Sequence, residues 1–63
     1  MMTQRDMMRL LVERHGNHED VVCAEYVRAE EQGEVQRESN ECNIPPEEYA
    51  RMLYKDGCRK GWF

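Results

Sequence analysis

Apolar residues recur along this chain in three blocks, each with a helical period and each bounded by recognisable start or stop residues. In the first block Met8, Leu11, Val12 and His15 fall at i, i+3, i+4 and i+7, while Arg5, Arg9 and Glu13 share the opposite side. Thr3 followed by Asp6 is a carboxylate version of the capping box, and Gly16 supplies the left-handed position that ends a helix. Asn17 with Asp20 repeats the start pattern, so a very short turn leads into a second helix bearing Val22, Cys23, Tyr26, Val27 and Ala29. Glu25, Arg28, Glu31 and Gln32 lie outside that face. So short a connection makes the two helices neighbours, either as an antiparallel hairpin or crossed as in a helix-turn-helix.

The end of the second helix has two readings. Gly33 is the obvious stop, but Glu30, Glu34 and Glu38 keep a spacing of four, which lets the helix tolerate Gly33 at about 1 kcal/mol and run to Ser39. Between Gly33 and Ile44 only Val35 is apolar, which predicts a short extended strand or a loop with a partly solvated surface. Pro45-Pro46 then suits a helix start, with Glu47 and Glu48 complementing the N-terminal dipole and Ile44 and Tyr49 placed as a hydrophobic staple. Tyr49, Met52 and Leu53 give one apolar stripe and Ala50, Tyr54 and Cys58 another. This third helix ends at Gly57, or passes through it to Gly61 with the missing side chain admitting a close neighbour. The fold class is therefore all-α: residues 1–63 as one small three-helix domain, helix-turn-helix-like in outline, with one short extended segment.

Composition sharpens this picture. At 63 residues, 40% hydrophobic and 35% charged, with a mean hydropathy of −0.97, the chain buries a thin core, and a partner is a natural supplement to it. The charge is uneven. Residues 1–16 carry three basic and two acidic groups, residues 17–43 two and eight, and residues 44–63 four and three, for a total of −4. A nucleic-acid binder normally shows a basic face, and here the second helix has the opposite sign. In the third, Arg51, Lys55 and Arg59 repeat at four-residue spacing, with Tyr54, Trp62 and Phe63 adding aromatic surface. Alternatively, Glu47 pairs with Arg51 and Asp56 with Lys60 along the helix.

Catalytic chemistry finds little support. Ser39 and Thr3 are the only serine and threonine and sit in no nucleophile motif, and a cysteine acting with His15 or His18 would need an enclosed cleft that three short helices rarely form. Gly57 to Gly61 lacks the spacing of a phosphate loop. His15, His18, Cys23, Cys42 and Cys58 include zinc-ligating residue types but no Cys-x-x-Cys pair, so neither a metal nor another cofactor is expected. Cys23 and Cys58 read instead as small core residues. The odd cysteine count and the charged first residues point to reduced thiols in the cytoplasm, and no apolar run approaches the ~18 residues of a membrane span.

Gly16-Asn17 between two short helices, followed by Ala29-Glu30-Glu31-Gln32-Gly33-Glu34-Val35-Gln36-Arg37, resembles the helix and following strand of winged helix-turn-helix DNA-binding domains over about a third of the chain. That resemblance implies a compact DNA-binding module, although Arg28 is the only basic residue of the second helix and no second wing strand follows. The charge pattern favours a non-enzymatic interaction or regulatory module whose partner is a protein, a second copy of the chain included. Its candidate contacts are Glu30, Glu34 and Glu38 in the acidic middle and Arg51, Lys55, Arg59 and Phe63 at the C-terminal edge. Gly61 gives the chain freedom to turn Trp62 inward, leaving Phe63 and the basic stripe accessible.

Overall fold

A computed structural model describes residues 3–37 and 43–63. Among these residues there are three helices, α1 (Gln4–His15), α2 (Glu19–Glu31) and α3 (Pro46–Lys60), and no strand, as the all-α reading requires. The wing strand implied by the helix-turn-helix resemblance is thus absent from the described residues. No helix among them is long and apolar enough to cross a membrane.

α1 starts where the capping pattern places it, with Thr3 Oγ1 accepting the Asp6 backbone N–H at 3.1 Å. It stops at Gly16, whose φ is +72°. α2 begins one residue later than the Asn17 cap predicts: His18 is the N-cap, without a side-chain capping bond. Its carbonyl accepts the Val22 N–H at 2.9 Å, and the orphan end is served instead by Glu19 and Asp20 in the first turn.

The alternative in which α2 runs to Ser39 is excluded by the backbone at Gly33, which has φ +79°. Gly33 N–H donates to Glu30 O at 3.1 Å and Glu34 N–H to Ala29 O at 2.9 Å, the paired bonds of a Schellman motif. The reversal drops Val35 onto the core at 2% exposure. Its neighbours Glu34 and Gln36 stay exposed, so the described part of this segment has the partly solvated surface expected of it. Glu38, Ser39 and Cys42 lie outside the described residues.

α3 passes through Gly57 and closes with a second Schellman motif at Gly61, φ +78°. Gly61 N–H donates to Cys58 O at 3.3 Å and Trp62 N–H to Gly57 O at 2.9 Å. The next residue, Phe63, is folded back over Gly57 and packs against Tyr54 with ring centroids 6.0 Å apart. The expectation that Phe63 stays accessible is thereby corrected: its ring packs against the apolar core, while Trp62 is half-buried against Arg5 and Lys60. The close neighbour that Gly57 admits is the Phe63 ring rather than a helix.

Tyr26, Met8, Val22 and Cys23 are fully enclosed where the helices meet, surrounded by Met7, Leu11, Ala29, Tyr49, Ala50 and Tyr54. On α3 the buried line is Ala50, Tyr54, Gly57, so Cys58, one step round the helix, is exposed rather than a core residue. Met52, on the other flank, is 48% exposed. Tyr26 and Tyr49 rings lie 6.3 Å apart. The Tyr49 hydroxyl accepts from Gln4 Nε2 at 2.5 Å, whereas the buried Tyr26 hydroxyl has no hydrogen bond of good geometry. Burial pushes its pKa up, and the nearby Tyr49 and Glu30 act in the same direction.

Two stability measurements follow from this core. A Cβ at Gly57 would collide with the Phe63 ring, so Gly57→Ala should displace the ring. The loss of about 2 kcal/mol of aromatic burial then outweighs the roughly 1 kcal/mol gained in helix propensity. In a Phe63→Ala background the same substitution should become stabilising by about 1 kcal/mol, and denaturant titration of the four proteins reads this change of sign. Tyr26→Phe, which removes a buried hydroxyl without a hydrogen bond of good geometry among the described residues, should raise stability at neutral pH by up to about 1 kcal/mol. In the unfolded chain Tyr26 ionises near its ordinary value of 10.0, while in the fold it keeps its proton. Stability therefore falls as the pH rises above that value, and Tyr26→Phe should flatten this alkaline limb.

Candidate functional site

The Gly61 reversal that seats Phe63 leaves Trp62 half-buried beside the start of α1. Arg5 Cζ and Lys60 Nζ each lie 5.1 Å from its ring centroid, within cation–π range. From this corner an open groove of about 790 Å³ runs between the first turn of α1 and the outer flank of α3. Met52, Leu53 and Trp62 supply its apolar surface. Arg5, Lys55, Arg59 and Lys60 supply four positive charges and Asp56 one negative charge. The groove is thus +3 on a chain whose total is −4.

Asp56 shows how these cations take a carboxylate. Arg59 Nη2 donates to its Oδ1 at 2.8 Å, and Lys60 Nζ approaches Oδ2 at 3.2 Å. Those two hydrogen bonds hold the Asp56 carboxyl below its ordinary pKa. Arg5 and Lys55, both exposed, form no ion pair with a carboxylate among the described residues. The Asp56–Lys60 pair read from the helical spacing is therefore present, and it sits at the rim of a site.

The other candidate residues are placed differently. Arg51 is not part of an accessible basic stripe: its guanidinium donates to Glu19 Oε2 at 2.7 Å and to Asp20 Oδ1 at 2.9 Å, clipping α3 to the first turn of α2. Both bonds make it harder to deprotonate. The helical partner Glu47 is farther off, at 3.9 Å. Lys55 and Arg59 remain exposed on α3. Phe63 is packed inward, because the chain reverses before it. Glu30 is not on a solvated face either. Its side chain is only 17% exposed and lies 3.6 Å from Arg37, whose guanidinium stacks 4.9 Å from the Tyr49 ring. Glu34 is exposed in the turn after α2, and Glu38 lies outside the described residues.

Among the described residues the groove's lining holds no histidine, cysteine or serine. The buried Cys23 thiol is pushed up in pKa by burial and by the Glu19 carboxylate, which disfavours the reactive thiolate. Among the described residues no three histidine, cysteine or acidic side chains are grouped as metal ligands. His15 is half-buried, its Nε2 without a hydrogen-bond partner among the described residues, and His18 is exposed.

Sequence reasoning missed Arg5, Met52, Leu53 and Lys60 as site residues and turned Trp62 inward rather than into the site. The signals for Arg5 and Met52 are a basic residue beside the first cap and an apolar residue on the edge of a stripe. Both acquire meaning when opposite ends of the chain are brought together. No protein-family model, curated protein or solved structure matches this chain.

Proposed function

We propose that this chain is a small non-enzymatic protein-interaction module that engages its partner through the basic, aromatic groove between α1 and α3. One observation carries the reading: a +3 groove with an exposed methionine and a half-buried tryptophan on a chain of net charge −4. Methionine, tryptophan and arginine are the residue types enriched in protein interfaces, and an apolar floor with a charged rim is the usual layout of one. The odd cysteine count adds a cytoplasmic setting to this reading.

The acidic middle segment plays a smaller part than its charge suggests. Glu19 and Asp20 are held by Arg51 and Glu30 by Arg37, so much of that charge serves the fold. Within the groove only Arg5 and Lys55 are without a carboxylate among the described residues, too few on this face to track a phosphate backbone.

The test is affinity capture from the native host with the wild-type chain and with the Arg5→Glu/Lys55→Glu variant, identifying the bound species. The expected result is a discrete protein retained by the wild type and lost by the variant, with helical circular dichroism unchanged. Equal retention by both, or retention of nuclease-sensitive material alone, would contradict the assignment.

A further inference from the structure

Resting on that reading, we infer that the groove takes an acidic peptide segment with one apolar anchor residue, its carboxylates meeting Arg5 and Lys55 and its anchor lying on Met52, Leu53 and Trp62. The groove already contains a carboxylate in the form this ligand would present. Asp56 accepts from Arg59 at 2.8 Å and lies 3.2 Å from Lys60, so half of the cations are occupied by an internal counter-ion. Arg5 and Lys55 are the half left for an incoming acid. Asp56 is consequently a competitor built into the site. A ligand carboxylate either uses the remaining two cations or displaces Asp56 from Arg59 and Lys60.

Two observations separate this ligand from a nucleic acid. Met52 is 48% exposed within the groove, which gives an apolar side chain a seat that a phosphate backbone would not use. The molecule measures only 26 × 21 × 20 Å, so at low salt the acidic residues elsewhere act on an extended polyanion lying across it, whereas a short peptide samples the local field of the groove.

Trp62 is the sole tryptophan, so its emission reports on the groove directly. The probe is a short synthetic peptide with a central leucine flanked by glutamates and lacking aromatic residues, titrated into the full chain by fluorescence and calorimetry. It should give a saturable change in Trp62 emission. Replacing its glutamates by glutamine, or its leucine by serine, should weaken binding by about tenfold, and Lys55→Glu in the protein should do the same. Asp56→Asn should strengthen binding by roughly threefold or more, since it removes the competing carboxylate.

No change in Trp62 emission, equal binding of the glutamine peptide, or weaker binding by Asp56→Asn would each overturn the inference. So would concentration-dependent dimerisation abolished by Lys55→Glu, which would make a second copy the occupant. If the peptide fails while Arg5→Glu/Lys55→Glu still loses a protein partner, the interaction-module reading stands and the acidic ligand alone is removed. Tighter binding of a single- or double-stranded oligonucleotide than of the peptide would remove both.

Discussion

A single left-handed residue, Gly61, governs both the closure of the core and the existence of the groove. At φ +78° it ends α3 and turns the chain through the paired bonds to Cys58 and Gly57. An L-residue with a side chain would be strained at that angle. The turn places Phe63 over the side-chain-free face of Gly57, completing a line of buried positions that otherwise ends at Tyr54. The same turn leaves Trp62 on the opposite side of the reversal, next to Arg5. Core and site are therefore two outcomes of one backbone conformation, and a domain this thin has few other apolar groups with which to compensate for its loss.

Charge is organised by the same geometry. The carboxylates at the start of α2 are held by Arg51 from α3, and Glu30 at its end is held by Arg37 after the Gly33 turn. These ion pairs join elements that are separate in sequence, and with them much of the acidic middle segment is neutralised locally. What is left is a positive groove on the far flank of α3, where Asp56 answers only part of the charge. The net charge of the chain says little about the field a ligand meets there.

The helices were legible in the sequence because their signals are local. Thr3, Gly16, Gly33, Pro45-Pro46 and Gly61 each act on their immediate neighbours, and the faces through Met8 and Leu11 or Val22, Cys23 and Tyr26 follow the helical period. Features that depend on contacts between distant segments were not legible. Arg51 has a partner one turn away, yet its closest carboxylates are on α2. Cys58 and Gly57 adjoin, and it is Gly57, covered by the returning Phe63 ring, that is buried while Cys58 is exposed. Lys55 and Arg59 could be read as a basic edge, but the groove they border needs Arg5 from the other end of the chain.

The most direct measurement of the Gly61 reversal is a nuclear Overhauser spectrum of the folded chain in solution. The structure requires cross-peaks from the Phe63 ring to the Gly57 α-protons, with those protons shifted by the ring current, and cross-peaks from the Trp62 indole to the Arg5 side chain. Cross-peaks from the Trp62 indole to Gly57, with a Phe63 ring that touches nothing, would contradict it and would dissolve the groove along with the core closure.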